Sequence, residues 1–274
     1  MKSIAVLSGD KRQHFINEYL TKENFDSKLK NNLDFNGYDY IVCSTPFSRD
    51  GLYLNCDFYS SFPVETFIDL IKPNQTVFAG SVSNAIKKIF DMKNVEIIDI
   101  LQDEKVLWEN AKCTAEGLIG DIILNTDFTL DNSKILIIGF GRCGINTALR
   151  LKSFNSQVTI YDHTYVHLCE ALSYGFNISM YDQLKDYLGD FDIIINTVSG
   201  LVLNNNLMSY INPQCILFDI SSKPYGIDAE LAKKHHLSLF TCPGLPGITA
   251  PKTAGELIAK NIISYLERTK RNGS

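Results

Sequence analysis

The 274 residues carry 26 Lys and Arg against 31 Asp and Glu, a formal net charge of −5, with 45% hydrophobic and 21% charged residues. At roughly 150 residues per domain, this is one large or two modest globular domains, able to bury a core without disulfide or metal staples. The balance excludes a basic nucleic-acid module, a disordered chain and a coiled coil. The longest apolar runs, such as 135–139 and 191–195, fall far short of the roughly 18–20 residues that a membrane span needs.

The amino terminus has one basic residue, a short apolar stretch from Ile4 to Leu7, and then Asp10-Lys11-Arg12. That reads as a strand and not as a signal peptide, so a cytoplasmic protein is expected. Seven cysteines, at 43, 56, 113, 143, 169, 215 and 242, are odd in number and never form C-x-x-C. They read as reduced thiols, and no metal constellation is expected.

Short apolar strands alternate with amphipathic helices, the pattern of parallel sheets covered on both faces. In the first part, strands are predicted at Ile4–Ser8, Tyr40–Ser44, Thr76–Ala79 and Val95–Leu101, with helices near Lys11–Thr21, Pro63–Ile71 and Ser83–Asp91. A helix follows from about Glu109 to Asn125, and Thr126–Ser133 reads as a polar connector that marks the domain boundary. Six further strands with crossovers, beginning at Lys134–Gly139 and ending at Leu237–Thr241, make a doubly wound sheet. Thr253 to Lys270 places Ala254, Leu257, Ile258, Ile262, Tyr265 and Leu266 on one stripe, with Thr253 and Glu256 as a capping box. The fold class is therefore α/β with two lobes joined by two helices. With the connecting helix counted into the second lobe, the domains run 1–112 and 113–252, and helix 253–270 packs back on the first. The cleft between the lobes is where a substrate would meet a cofactor.

Lys134–Ile138 runs straight into Gly139-Phe140-Gly141-Arg142-Cys143-Gly144 and a helical stretch. Strand, glycine turn and helix are in the order that binds a dinucleotide: Gly139 for the tight turn, Gly141 for approach to the pyrophosphate, Gly144 for close helix–strand packing. The helix amino terminus supplies N–H groups and positive dipole to the anion. The next strand ends at Asp162, where an acid can accept ribose hydroxyls. This favours NAD, while the adjacent His163 and nearby Arg150 keep NADP open. Thr197, Val198 and Ser199 lie at the carboxyl edge of the fourth strand, where ribose or nicotinamide contacts occur, or form a plain strand-to-helix loop.

The glycine turn, Phe218-Asp219-Ile220-Ser221-Ser222-Lys223-Pro224 and above all Cys242-Pro243-Gly244-Leu245-Pro246-Gly247-Ile248-Thr249-Ala250-Pro251-Lys252-Thr253-Ala254-Gly255 resemble the A-subunit family of bacterial dipicolinate synthases. The likeness extends through Gly9-Asp10-Lys11-Arg12-Gln13, Ser83-Asn84-Ala85 and Thr114-Ala115-Glu116-Gly117, and so spans nearly the whole chain. It implies a spore-forming bacterium that makes pyridine-2,6-dicarboxylate in the mother cell, from a hydroxylated tetrahydropyridine dicarboxylate or its dehydrated dihydro form. It also implies a flavoprotein-like B-subunit as partner, and a homo-oligomer remains open. Two departures stand out: Lys223 where the family suggests Arg, and Asp162-His163 where a relative suits NADP better. Lys cannot give the bidentate carboxylate contact of Arg.

Aromatising such a ring needs a hydride acceptor, loss of a proton and positioning, with only modest acid–base help. Two ring carboxylates call for two donor clusters. Arg12 is the leading anchor, with Gln13 beside it. Ser83, Asn84 and Thr114 are further substrate candidates, or else helix caps, and Glu116 is the acid–base candidate. In the second lobe Ser222 and Lys223 follow the fifth strand, Lys223 with a catalytic role. Lys252 follows a loop stiffened by Pro243, Pro246 and Pro251, in which Pro243 and Gly244 would border the cofactor. Phe140, Arg142 and Cys143 border it within the glycine turn. Cys143 and Cys242 lack a paired His and read as packing thiols. His14 and His167 read as ordinary helix residues, His235 and His236 as surface.

Two readings compete with an NAD(P)-dependent oxidoreductase acting on this ring. One is a D-2-hydroxyacid or amino-acid dehydrogenase, weakened because no Arg, acid and His set is found near the carboxyl end of the cofactor domain. The other is a noncatalytic cofactor-binding scaffold for a flavoprotein.

Overall fold

The computed structural model describes residues 2–180 and 183–272. They form two compact units, 1–110 with 250–274, and 111–249. The division falls at 110/111, inside a helix, and the polar connector 126–133 lies within the second unit. It is a surface turn in that unit and not a boundary.

In the first unit, β1 (Ser3–Leu7), α1 (Lys11–Lys22), β2 (Asp26–Lys30), β3 (Tyr40–Val42), α2 (Val64–Asp69), β4 (Thr76–Ala79), α3 (Asn84–Met92) and β5 (Glu96–Asp99) follow in order. Their parallel sheet runs β2-β1-β3-β4-β5. Chain order reverses between β1 and β3, and that break is a topological switch point. Period-2 alternation explains the two cores. Ile4 and Val6 of β1 face Ile16 and Leu20 of α1, while Ala5 and Leu7 face Phe47, Phe67 and Phe90. Each fully buried Ile, Val, Leu or Phe among them contributes roughly 1.5–3 kcal/mol. Strand β2 goes beyond the sequence-based expectation: its sequence, Asp-Ser-Lys-Leu-Lys, is polar because it sits on the sheet edge with Leu29 exposed.

From the first unit α4 (Glu104–Asn125) runs into the second, where β6 (Lys134–Ile138), α5 (Arg142–Ser153), β7 (Gln157–Tyr161), α6 (Tyr165–Ser173), β8 (Asn177–Ser179), α7 (Leu184–Tyr187), β9 (Ile193–Asn196), α8 (Asn205–Met208), β10 (Ile216–Asp219), α9 (Ala229–Lys234), β11 (Ser238–Thr241) and α10 (Leu245–Thr249) follow. The six-stranded parallel sheet is ordered β11-β10-β9-β6-β7-β8. This is the doubly wound nucleotide-binding arrangement, with its switch point between β6 and β9. Ile135 and Ile137 pack on Ala148 and Leu151 of α5 and on Leu118 and Ile122 of α4, while Leu136 and Ile138 pack on Leu184 and Leu207.

The chain returns to the first unit as α11 (Pro251–Asn272), whose Ile258, Ile262 and Leu266 share a core with Ile16 and Leu20. This corrects the reading of the Pro243–Pro251 segment as a loop. It contains α10, and Pro251 opens α11, a position where its missing N–H has no helical partner to lose. Thr253 therefore lies inside the helix and is no cap. Among the described residues no helix is long and apolar enough to cross a membrane.

Candidate functional site

The glycine turn of the second unit is built from backbone. Gly139 has φ +96°, a left-handed conformation that a side chain would strain, and it hands β6 into α5. A Cβ at Gly144 would stand 2.0 Å from the Gly139 carbonyl oxygen, so only glycine lets the helix approach the strand. A Cβ at Gly141 would meet no protein atom. Gly141 is the residue before α5, with extended backbone and no side-chain cap bond. The first turn of a helix directs its N–H groups outward, so this open space lies against donors and positive dipole. A dinucleotide pyrophosphate fits that cradle.

The other predicted cofactor residues divide. Phe140 has its side chain in the core, edge-to-face with Phe176 at 5.9 Å, so its ring is structural and not a ligand contact. The Thr197 hydroxyl donates to the carbonyls of Ile138 (3.0 Å) and Gly139 (3.3 Å), clamping the turn to β9. Asn196 at the same edge donates to Val198 O (2.7 Å) and Asp219 Oδ1 (3.0 Å). Arg142, Ser199, Pro243 and Gly244 are exposed. Gly244 has φ +72° with open space at its Cβ position. Burial raises the Cys143 thiol, a rise that a hydrogen bond with Thr114 and the charge of Arg142 only reduce. Burial, with a hydrogen bond and charge from Asp121, pushes Cys242 up to about 12. Neither is a nucleophilic thiolate at neutral pH.

Asp162 is almost fully buried at the end of β7. Its Oδ2 accepts the Phe140 N–H (2.8 Å) and lies 3.1 Å from His167 Nδ1; its Oδ1 accepts the Thr164 N–H (2.8 Å) and lies 3.4 Å from His163 Nδ1. Burial alone would raise this carboxyl, but the two amides and His167 outweigh it and hold it below the ordinary carboxylate value. Its oxygens are thus engaged by the protein, and what it offers a cofactor is chiefly fixed negative charge. His167 has no role in the sequence-based reading, because only the fold brings α6 against the end of β7.

Asp219, fully buried, accepts from Asn196, from the Ser221 N–H (2.9 Å) and from the Ile227 N–H (2.8 Å). It shapes the loop that presents Ser222 and Lys223, both exposed. Thr114 is buried on α4. Glu116, also on α4, is ion-paired to Arg150 Nη2 at 3.0 Å, with its side chain 66% exposed. Its carboxylate is therefore partnered by a guanidinium and faces solvent.

In the first unit Arg12 is not the free anchor that the sequence suggests. It is 7% exposed, its Nε and Nη2 bind the Asp10 carboxylate (2.5–3.1 Å), and Nη2 also donates to the Thr45 carbonyl. Asp10 caps α1 and takes the Arg12 guanidinium because the two side chains emerge together at the helix start. Gln13 lies beside Arg12 and is buried. Ser83 caps α3, accepting the Ile86 N–H at 3.3 Å, so it is a cap. Asn84 and Lys252 are exposed in the first turns of α3 and α11.

Residues 3–101 match the family model of the N-terminal domain of the dipicolinate synthase A-subunit, and residues 123–248 match that of shikimate/quinate 5-dehydrogenase. The dipicolinate synthase A-subunit of Bacillus subtilis (strain 168) is 30% identical over 96% of this chain and 95% of its own. The chain belongs to the dipicolinate synthase A-subunit family. Crystal structures of the A-subunits from Bacillus halodurans (24% identity, TM-score 0.87, 97% of each chain) and from Bacillus subtilis (26%, TM-score 0.86, 100% of this chain and 98% of that one) share its fold. Family membership and the dehydrogenase-type second unit make this an NAD(P)-dependent oxidoreductase.

Proposed function

We propose that this family member oxidises a dihydro- or hydroxytetrahydropyridine-2,6-dicarboxylate to pyridine-2,6-dicarboxylate. The observation that carries this reading is the A-subunit match along 96% of the chain, joined to a glycine turn shaped for a dinucleotide. When bound, the nicotinamide accepts the hydride that leaves the ring. The dihydro substrate also loses one proton, and the hydroxylated form loses water as well.

The chain's own part is binding and orientation. Gly139, Gly141, Gly144 and the start of α5 hold the pyrophosphate, flanked by Arg142, Ser199, Pro243 and Gly244. The Asp162 charge disfavours a 2′-phosphate and so favours NAD, while His163 and His167 soften that preference. Ser222 and Lys223, on the loop fixed by Asp219, form one donor cluster for a ring carboxylate. Lys223 is the better proton-transfer group, since Glu116 is tied to Arg150. The aromatic product supplies driving force, so positioning does most of the work. We further propose that the chain acts with a flavoprotein-like B-subunit, in the cytoplasm of the mother cell of a spore-former.

The test mixes the purified chain, with and without that flavoprotein-like partner, with aspartate semialdehyde, pyruvate, the lysine-pathway synthase and NAD or NADP. Dipicolinate absorbance that depends on this chain is expected. Cofactor binding with no product in any combination would overturn the proposal in favour of a scaffold or another substrate.

A further inference from the structure

The corner that ends β7 holds one carboxylate between two imidazoles. The Asp162 side chain is 4% exposed; His163 Nδ1 lies 3.4 Å from its Oδ1 and His167 Nδ1 lies 3.1 Å from its Oδ2. Each oxygen also accepts a backbone N–H, from Thr164 and from Phe140. The carboxylate is therefore sealed behind its partners, and the groups that a ligand can touch are the imidazoles, whose side chains are 84% exposed at His163 and 39% at His167. His167 Nδ1 is itself buried, close to Asp162 yet out of line for a hydrogen bond, so the exposed part of that ring is the side away from the carboxylate. His167 stands in the first turn of α6, where helix amides and dipole favour an anion.

In a doubly wound sheet the end of the second strand meets the adenosine ribose, so this corner faces the group that distinguishes NAD from NADP, a 2′-hydroxyl or a 2′-phosphate. Imidazole is the side chain whose charge changes between about pH 5 and pH 8. With both rings neutral the cluster carries one negative charge and repels a phosphate. One proton cancels that charge, and a second reverses it. An imidazole held between a carboxylate and an incoming phosphate gains from both when it takes up its proton. Helix α6 packs chiefly against β7 and β8; β7 adds the buried Tyr161, and β8 no titratable side chain. The glycine turn adds Arg142 and Cys143, and α6 itself adds Tyr165, Cys169 and Glu170, so the two further charges nearby are of opposite sign.

We propose that the cluster of Asp162, His163 and His167 selects the cofactor by its protonation, taking NAD when the imidazoles are neutral and NADP when they are protonated, with His167 as the specificity-determining residue. His167 outweighs His163 because it is closer to the carboxylate, fixed on a helix and less exposed, so water and salt screen it less. This deepens the proposed cofactor preference and rests on the placing of a dinucleotide at the glycine turn, whatever the ring substrate.

Calorimetric titration of the full-length chain with NAD and with NADP, between pH 8 and pH 6.5 and in buffers of differing ionisation enthalpy, tests it in wild type, His167→Gln and His167→Lys. This range lies above the second ionisation of a phosphate monoester, near pH 6, so the ligand keeps most of its charge. NADP affinity should rise about tenfold from pH 8 to pH 6.5, while NAD affinity changes less than about twofold. NADP binding at pH 7 should take up about half a proton and NAD binding none. His167→Gln should lose both the uptake and the pH dependence. His167→Lys should bind NADP about tenfold tighter than wild type at pH 8, a gain that a misfolded variant cannot give. NADP binding without proton uptake in wild type, uptake that persists in His167→Gln, or binding of NAD alone across the range would overturn the inference and leave the dinucleotide site standing. A wild-type chain that binds neither dinucleotide would instead overturn the placing of the cofactor, and the inference with it.

Discussion

At the carboxyl edge of the second sheet, the Asp162 carboxylate accepts two backbone N–H groups and has two imidazole nitrogens within 3.4 Å, and the Thr197 hydroxyl is tied to two strand carbonyls. At the corresponding edge of the first sheet, Gln13 and Ser44 are left without partners. The two units share parallel-sheet architecture and a glycine beside a helix start. The carboxylate and hydroxyl that hold the second turn are engaged, whereas the first edge buries an amide and a hydroxyl without partners, at a cost in stability; the second unit carries that cost elsewhere, at Thr147 Oγ1 and His167 Nδ1.

That contrast can be broken most severely at Gly144. Its alanine would push a Cβ to 2.0 Å from a backbone carbonyl that cannot rotate away. Gly144→Ala should lose about 3 kcal/mol in urea denaturation along with dinucleotide binding. Next comes Asp219→Asn, which turns one acceptor oxygen of a fully buried, three-donor carboxylate into a further donor. It should cost about 2 kcal/mol by the same measurement and raise KM for the ring substrate through the 221–227 loop. Gly141→Ala sharpens the comparison, because its Cβ enters open space. Stability should change by less than about 0.5 kcal/mol while dinucleotide affinity, followed by fluorescence titration, drops about tenfold. Equal losses in both quantities would mean that Gly141, like Gly144, serves packing.

How much of this was legible in the sequence depended on whether a residue's role is local. Buried central strands such as β6 and β9 announce themselves as apolar runs, and the glycine turn is local by construction. The edge strand β2 is polar because one side of it faces solvent, so periodicity carries no signal there. Pro246 and Pro251 have the look of loop stiffeners, yet Pro246 sits within α10 and Pro251 opens α11, since proline is tolerated where a helix begins. Arg12 was legible as a cation at a strand end, but its capture by Asp10 and the Thr45 carbonyl depends on where β3 ends relative to α1. Ser44 was illegible altogether, because lacking a partner is a property of the folded surroundings and not of a residue type.

The smallest expected effect tests whether Asp162 acts by charge or by structure. Its carboxyl is held below the usual value, although burial opposes this, by the Phe140 and Thr164 amides and by His167. Because the folded pKa lies below the unfolded one of about 4, the associated stability is complete above that pH and is lost as pH falls through the lowered value. Asp162→Asn keeps an acceptor oxygen for one amide and removes the charge. Relative to wild type, its stability should fall less steeply as pH drops below about 4, in urea denaturation at fixed ionic strength. The same variant should raise the NADP-to-NAD ratio of kcat/KM by about tenfold at neutral pH, since the repulsion of a 2′-phosphate is gone while the turn persists. A flattened acid limb with an unchanged cofactor ratio would make Asp162 a purely structural carboxylate, one that ties the glycine turn to β7 and leaves selectivity to other groups.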